Sequence, residues 1–335
     1  MRTIRRLTAA ALTAALLLLP ATANAAITNV DRAAWGAGFI SSTQRLNGSI
    51  PSFSTVGSTA DAVVALVAAR RGPVNIDKAM RFLARRVERG DYGVGPVEEV
   101  GVKAKIVLAA VASGRDPRNF GGHDLVQEIL DTEQPNGRLG EDTAVFNQAT
   151  ALLALKAAGS PSWAARAWLF DAQCPDGGWA YDNPPRPNDD EHCTDKTDPG
   201  NDWFPTDTNT TSLAVQALAL PPATIYKQDP FDFFKAARDG TKGWGYAIGY
   251  GTDSNSTGMV IQAYAAEDKA LPSGALAALK ALQYKYCGGF RFNSASTSPD
   301  VGSTIGGVLG LLRKSLPVKP VPVTVAAPAP IGCPA

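Results

Sequence analysis

The segment Cys174-Pro-Asp-Gly-Gly-Trp-Ala-Tyr181 decides the fold, because looser copies of its glycine turn recur along the chain. The turn glycines lie at positions 48, 93, 137, 178, 243 and 289. Successive turns are therefore 45, 44, 41, 65 and 46 residues apart. A period in the forties is typical of proteins built from repeated structural units, and the one long step indicates an insertion.

Two helices are predicted between successive turns. One helix of each pair is apolar almost all round, as in a helix buried on every side, and the other is amphipathic. The apolar helices are predicted at 58–70, 100–112, 143–158, 210–220, 256–267 and 303–314. The amphipathic helices are predicted at 30–43, 76–89, 123–132, 162–172, 231–238 and 273–286. The first helix and the last each lack a neighbouring partner, so pairing them closes a ring.

These six pairs predict an all-α protein, an (α/α)6 toroid of six inner and six outer helices that covers residues 27–315. An open solenoid would need polar capping repeats, and none is evident. Two segments fall outside the repeat. Residues 182–206 hold seven acidic and two basic side chains with five prolines, which predicts a loop inserted into the toroid. Residues 316–335 form a proline-rich tail, and the alternation of proline with valine or alanine in it predicts extended chain.

The first 26 residues have the pattern of a cleaved export signal. Arg2, Arg5 and Arg6 precede an apolar run that ends near Leu19, and Ala23-Asn24-Ala25 is a small-x-small cleavage site. Removing these three arginines changes the formal charge from +1 to −2 (1 − 3). We therefore expect a secreted protein with no membrane span and no nucleic-acid partner.

The four cysteines of an exported protein are interpreted first as disulfides. Of the three possible pairings we favour Cys174–Cys193 and Cys287–Cys333. The first would close the acidic insertion onto the turn where it begins, and the second would pin the tail to the last glycine turn. A metal site is the weaker alternative, because the chain has two histidines (His123 and His192) and no Cys-x-x-Cys.

Glutamine at a helix end, the Asp-Gly-Gly-Trp turn at 176–179, and inner helices that open with Asp-Thr or Asp-Ser resemble the prenyltransferase and squalene-oxidase repeat superfamily. Its members include squalene–hopene cyclases, protein prenyltransferase β subunits, complement thioester domains, and the cobalamin carriers intrinsic factor and transcobalamin. The resemblance implies the toroid fold. It implies no single activity, because the superfamily places many chemistries on one scaffold.

The enzymatic branches of this superfamily carry motifs that the chain lacks. Class II cyclases protonate an isoprenoid with the middle acid of Asp-x-Asp-Asp-Thr-Ala, whereas Asn209 and Thr210 replace the two central acids after Asp207. No inner helix offers the Asp, Cys and His that hold zinc in prenyltransferases. The thioester stretch Cys-Gly-Glu-Gln is not matched by Cys287-Gly-Gly-Phe290. Residues 256–262 are similar to cobalamin carriers, but those carriers close over the ligand with a second domain for which the sequence shows no candidate.

Polar residues near the starts of the inner helices are the candidate ligand-binding residues. Aligning the helix starts places Asp61, Asn147, Thr211, Thr257 and Thr304 at one register, with Gln216 and Gln262 five positions after the third and fourth of these. They could form a polar ring at the mouth of a mostly apolar cavity. Helix capping and hydrogen bonds between helices are the alternative role.

Several other residues could either bind a ligand or have a structural role. The aromatic residues that follow the turns are expected to pack the turn against its neighbour helix, whereas Trp203 in the insertion has the stronger claim on a ligand. Lys103 and Lys105 could reach the cavity or pair with Glu98 or Glu99. The acids between 189 and 202 could bind calcium, but a solvated acidic loop is the favoured interpretation.

Together these observations favour a secreted monomer that binds a small or extended ligand in its central cavity, with no catalytic residue, cofactor or metal. The alternative is a cyclase-like enzyme with a displaced acid, for which Asp61, Asp142 and Asp300 are the candidates. A third interpretation is a cell-envelope protein that works through its outer face.

Overall fold

The computed structural model describes residues 27–141, 143–182, 193, 206–220 and 223–334. The predicted export signal, Asp142, Trp203 and the acidic residues 189–202 lie outside this described part, so the predictions that concern them stay predictions. Within the described residues, no helix is both long enough and apolar enough to cross a membrane.

Twelve α-helices alternate between an inner and an outer position, which confirms the all-α (α/α)6 toroid for the described residues. The inner helices are α2 (Thr55–Ala69), α4 (Glu99–Ala112), α6 (Val145–Ala157), α8 (Thr208–Leu218), α10 (Ser254–Ala266) and α12 (Val301–Leu312). The outer helices are α1 (Asn29–Ser42), α3 (Pro73–Glu88), α5 (Leu125–Leu130), α7 (Trp163–Asp171), α9 (Pro230–Ala237) and α11 (Ala275–Ala281).

The ring closes as the helix pairing predicts. Each inner helix packs against the next, α12 packs against both α2 and α1, and the first helix of the chain thereby covers the last. Small residues let α10 and α12 pack closely together. A Cβ atom on Gly258 would lie 2.2 Å from the carbonyl oxygen of Gly306, so position 258 has no room for a side chain.

The two kinds of helix differ in burial because they differ in composition. In α2 nearly every residue is buried, whereas α3 buries Ile76 and Leu83 on one face and presents Arg81 and Arg85 on the other. Burial of such apolar faces is the main source of stability in a fold of this kind. Since four of the outer helices have only six to nine residues, the turns between helices carry much of the outer layer.

A glutamine at the end of an outer helix holds each of several turns in place. The side-chain Nε2 of Gln173 donates to the carbonyls of Gly177 (2.8 Å) and Gln228 (2.8 Å), which joins the turn to the start of the next outer helix. Gln44 and Gln283 make the same kind of bridge in their own units. The helix-end glutamine noted in the sequence is therefore a structural residue.

Five of the six turns are also anchored to the inner helix by one recurring hydrogen bond. The backbone N–H just after the turn donates to an inner-helix side-chain oxygen, which we call the turn anchor. The pairs are Ile50 with Thr59 (2.9 Å), Leu139 with Gln148 (2.8 Å), Trp179 with Thr211 (2.9 Å), Trp244 with Thr257 (3.0 Å) and Phe290 with Thr304 (2.9 Å). This bond fixes which inner-helix positions are equivalent around the ring.

Two short strands and two disulfides complete the fold. Strand β1 (Trp179–Ala180) pairs antiparallel with β2 (Thr206–Asp207), so the insertion leaves the ring and returns to it at one place. The disulfides are Cys174–Cys193 and Cys287–Cys333, as predicted from the sequence. Beyond α12 the described part of the tail, up to residue 334, has no helix, and a β-bridge joins Val325 to Arg71.

Candidate functional site

The inner helices enclose a cavity of about 340 Å³ whose wall is built in layers. Its mouth lies at the end where the inner helices begin, and the layers are counted from the turn anchors. Two positions before an anchor are Phe146, Asn209, Asn255 and Gly302; two positions after are Asp61, Thr150, Leu213, Met259 and Gly306; five positions after are Val64, Gln262 and Leu309. Steps of three and four residues keep these positions on one face of a helix.

Asp61 and Lys105 form the charged centre of this wall. Lys105 Nζ donates to Asp61 Oδ2 at 2.7 Å, and the side chains are 24 % and 36 % exposed for lysine and aspartate. Among the described residues that line the cavity, Asp61 is the only acid and Lys105 the only base. The ring of Phe146 lies 5.9 Å from Lys105 Nζ, so an aromatic face and a carboxylate meet at one cation.

Asn209 occupies the position opposite this pair. It lies on α8, and α8 is three places from α2 in a ring of six helices, so the two helices face each other across the cavity. The buried Oδ1 of Asn209 accepts no hydrogen bond from the described residues. Leaving a buried amide oxygen of this kind without a hydrogen bond costs free energy.

Asp207 caps α8 just behind Asn209. Its Oδ1 accepts hydrogen bonds from the backbone N–H groups of Asn209 (2.9 Å) and Thr210 (2.8 Å), while Oδ2 has no partner among the described residues. Burial raises the pKa of Asp207 to about 7, against the opposing effect of the bonds from Thr210 and Asn209. Asp207 is fully buried and does not line the cavity, so we regard its carboxyl as a helix cap.

The structure changes the register that the sequence suggested for the inner helices. Asp61 and Asn147 were aligned with Thr211, Thr257 and Thr304, but the turn anchors of the first and third units are Thr59 and Gln148. The alignment was therefore wrong by two residues in the first unit and by one in the third. Starting points of helices vary by a residue or two, whereas the anchoring hydrogen bond does not.

The predicted site residues consequently go to different places. Asp61 and Gln262 line the cavity. Thr211, Thr257 and Thr304 are fully buried and bond the turns, and Asn147 packs against Gly101 of α4. Gln216 is buried and its Oε1 accepts from the backbone N–H of Leu316 at 2.8 Å. Asp300, one of the proposed displaced acids, caps α12 and borders a cleft beside the cavity.

Several cavity residues were not predicted as site residues, notably Phe53, Phe146, Asn209, Asn255 and Met259. Counting two positions either side of Thr211, Thr257 and Thr304 would have found Asn209, Asn255 and Met259. The two lysines of α4 each take one of the two predicted roles, reaching the cavity or forming an ion pair. Lys105 reaches the cavity, whereas Lys103 pairs with Glu99 (3.4 Å) and Glu128 (2.9 Å) outside it.

The mouth continues sideways as two clefts that share aromatic residues. Phe53 borders both the cavity and a cleft of about 570 Å³, and Phe292 borders that cleft and the next one, of about 420 Å³. Tyr246 and Tyr250 line the far cleft. Phe53 is 88 % exposed, so its ring is free to stack on a ligand. Trp179, Trp244 and Phe290, by contrast, are fully buried, as expected for structural aromatics.

Solved structures with the same fold are found among two classes of enzyme. An inactive variant of an α-1,6-mannanase from Salegentibacter sp., solved with α-1,6-mannotetrose, aligns with a TM-score of 0.56 at 14 % identity, covering 85 % of this chain and 98 % of that one. A variant of the type II terpene cyclase MstE from Scytonema, solved with its substrate geranylgeranyl dihydroxybenzoate, aligns with a TM-score of 0.54 at 11 % identity, with the same coverage.

A protein from Actinoplanes aligns equally well, with a TM-score of 0.57 at 14 % identity over 85 % of this chain and 98 % of that one. No protein-family profile and no curated protein sequence matches the chain. At these identities the similarity establishes the α/α-toroid fold, which the chain shares with terpene cyclases and mannanases.

The comparisons correct the function favoured from the sequence. A non-catalytic binding protein was expected because Asn209 and Thr210 stand where class II cyclases have acids, and that expectation is wrong: the similar structures include a mannanase and a terpene cyclase, both enzymes. The cyclase-like alternative fits the comparisons better. The expectation rested on the two replaced acids at the start of α8, whereas the charged pair of the cavity comes from α2 and α4.

Proposed function

We propose that the chain is a cyclase-like enzyme that folds an apolar, isoprenoid-type substrate into the central cavity and uses Asp61 as the displaced acid. The observation that carries the proposal is the Asp61–Lys105 pair, which sets one carboxyl into a wall otherwise made mostly of aliphatic and amide side chains. Class II cyclisation needs this combination of a proton donor and an apolar mould that excludes water.

The pair gives Asp61 a route to the neutral acid. In the open cavity water solvates both charges. An apolar substrate that fills the cavity removes that water, and the neutral forms of a carboxyl and an amine are then favoured over two poorly solvated charges. At 2.7 Å the proton can pass from Lys105 Nζ to Asp61 Oδ2. Asp61 then adds this proton to a carbon–carbon double bond of the substrate.

The rest of the cavity suits the cation that results. The face of Phe146 lies near the charged pair and stabilises positive charge through its π-electrons. Leu213, Met259 and Leu309 supply a dry surface against which an isoprenoid chain can fold. At the end of the reaction, loss of a proton from the product cation to the Asp61 carboxylate restores the acid, so the substrate and product are isomers.

Incubation with squalene and geranylgeraniol, followed by product analysis, tests the proposal. We expect isomeric cyclised products from wild type and none from Asp61→Asn, which keeps the shape and removes the proton. Asp77→Asn is the matched control, because Asp77 lies exposed on the outer helix α3, where it pairs with Arg115. Equal turnover by wild type and Asp61→Asn would contradict the assignment of Asp61.

Glycoside hydrolysis is the second candidate, and the clefts beside the mouth favour it. An extended series of aromatic surfaces from Phe53 through Phe292 to Tyr250 suits stacked sugar rings better than a single folded isoprenoid. The fold is shared with a mannanase solved with a tetrasaccharide. Hydrolysis of α-1,6-linked manno-oligosaccharides, lost in Asp61→Asn and accompanied by no conversion of polyenes, would establish this candidate instead.

Cobalamin binding has less support. The resemblance at 256–262 includes Ser256 and Thr257, but Ser256 bonds the carboxylate of Asp253 and Thr257 anchors Trp244, so neither hydroxyl faces the cavity.

We also propose that the chain is exported with cleavage near residue 26, and that it is a monomer with one toroid domain over 27–315 and the insertion at 182–206. Two disulfides support export, because such bonds persist in oxidising compartments.

A further inference from the structure

The C-terminal tail crosses the end of the ring opposite the mouth. We call residues 316–333 the strap. It begins under α8, where the backbone N–H of Leu316 donates to Gln216 Oε1 at 2.8 Å. It reaches the far side of the ring at α2, where the N–H of Gly72 donates to the carbonyl of Val325 at 2.9 Å. Since α2 and α8 face each other in the ring, the segment between these bonds spans its diameter.

The strap is fixed beyond this crossing as well. A Cβ atom on Gly38 of α1 would lie 2.1 Å from the carbonyl oxygen of Pro328, so strap and helix are in direct backbone contact. The N–H of Ile331 donates to the carbonyl of Tyr286 at 3.2 Å, and Cys333 is bonded to Cys287. Val318 is 7 % exposed, and Val321 and Val323 pack on the core. Such attachment holds the strap in one position.

Leu316 is the strap residue that enters the cavity. It lines the same space as Val64, Leu108 and Leu309, at the end away from Phe53. From the layer of Asn209 to the level of Gln216 is seven helical residues, or about 10 Å. A linear substrate that enters at the mouth and extends along the axis therefore meets the Leu316 side chain at the far end.

We propose that Leu316 is a specificity-determining residue, the floor that limits how long an isoprenoid chain the cavity accepts. This inference rests on the proposed function for its substrate class. Leu316 belongs to the strap and not to a repeat helix, so the length limit can change without altering the ring. Exchanging Leu316 for a smaller side chain deepens the cavity by about one branched four-carbon group, and a larger side chain shortens it.

The test measures binding and not turnover. Displacement of an apolar fluorescent dye from the full-length protein by geraniol, farnesol and geranylgeraniol gives an affinity for chains of two, three and four isoprene units. We expect Leu316→Gly to improve the affinity for the longest chain relative to the shortest by about tenfold, since each buried carbon adds to binding. Leu316→Phe should shift the preference the opposite way, which keeps the test valid if the glycine variant folds poorly.

Val325→Gly is the matched control, because its side chain is 51 % exposed while its carbonyl keeps the bond to Gly72. An equal change of all three affinities in both Leu316 variants, or failure of every alcohol to displace the dye, would overturn the inference. A length preference that moves with Leu316 in a protein without turnover would uphold the inference and reject the proposed activity. Turnover together with a length preference that the Leu316 substitutions leave unchanged would uphold the proposed activity and reject the inference.

Discussion

Thr257 and Trp244 hold each other by two hydrogen bonds: the Trp244 N–H donates to Thr257 Oγ1 at 3.0 Å, and Oγ1 donates to the Trp244 carbonyl at 3.0 Å. The first of these bonds recurs in five of the six units and is the connection between the glycine turns and the inner helices. Thr211, Thr257 and Thr304, which the sequence suggested as ligand-binding residues, therefore use their hydroxyl groups to hold the turns.

Thr257→Val should lower the free energy of unfolding by about 1–3 kcal/mol, because the buried N–H of Trp244 loses its partner, while its carbonyl keeps only the bond from the Asp253 N–H. Thr257→Ser keeps the hydroxyl and should cost less. Denaturant unfolding of the three proteins measures the difference. A valine variant of unchanged stability with impaired substrate binding would instead show that Thr257 contacts the ligand.

Substituting Gly177 and Gly249 by alanine distinguishes the backbone strain at a turn glycine from the steric clash of an added Cβ. Their φ angles are +89° and +88°, so alanine suffers the same backbone strain at both positions. A Cβ at 177 would also lie 2.8 Å from the Asp229 carbonyl oxygen, whereas nothing lies within 4 Å of one at 249. We expect Gly249→Ala to cost about 1–2 kcal/mol and Gly177→Ala clearly more. Equal melting temperatures for the two variants would show that the turn yields at 177.

Asp207 and Asp253 should make the protein less stable as the pH rises. Burial raises their pKa values to about 7 and about 6, above the ordinary value of 3.8. The unfolded chain therefore loses these protons before the folded protein does. The contribution to stability is full below pH 3.8 and is lost as the pH rises through 6 and 7.

Between pH 5 and pH 8 we expect Asp207 alone to lower the free energy of unfolding by about 2–3 kcal/mol. Asp207→Asn keeps an oxygen for the N–H groups of Asn209 and Thr210 and cannot ionise, so it should flatten this part of the pH profile. Urea unfolding at a series of pH values tests the expectation. A wild-type profile that rises from pH 5 to pH 8 would contradict it.

The sequence contains enough information for the fold because the repeat is visible in single residues. The spacing of Gly48, Gly93 and Gly137 gives the unit length, and the unbroken apolar helices identify the inner layer. The disulfides follow from the positions of Cys174 and Cys287 beside turns. Each of these signals is local, so none required knowledge of which helices meet across the ring.

The cavity could be predicted only in part, because its residues come together from helices far apart in the sequence. Asp61 and Lys105 are separated by 44 positions, and nothing local shows that their side chains meet. Leu316 lies 100 residues from Gln216, and the tail carries no pattern that indicates a cavity floor. The helix starts also misled the alignment, since only the hydrogen bonds of Thr59 and Gln148 identify the equivalent positions.

The most direct test of the account is cyclisation in deuterated water. The Asp61 carboxyl exchanges with solvent between turnovers, so a product formed by its proton should carry one solvent-derived deuterium and otherwise keep the mass of the squalene or geranylgeraniol supplied. Asp61→Asn should yield no such product, and Asp77→Asn should match wild type. A product without deuterium, or conversion that persists in Asp61→Asn, would contradict the role assigned to Asp61.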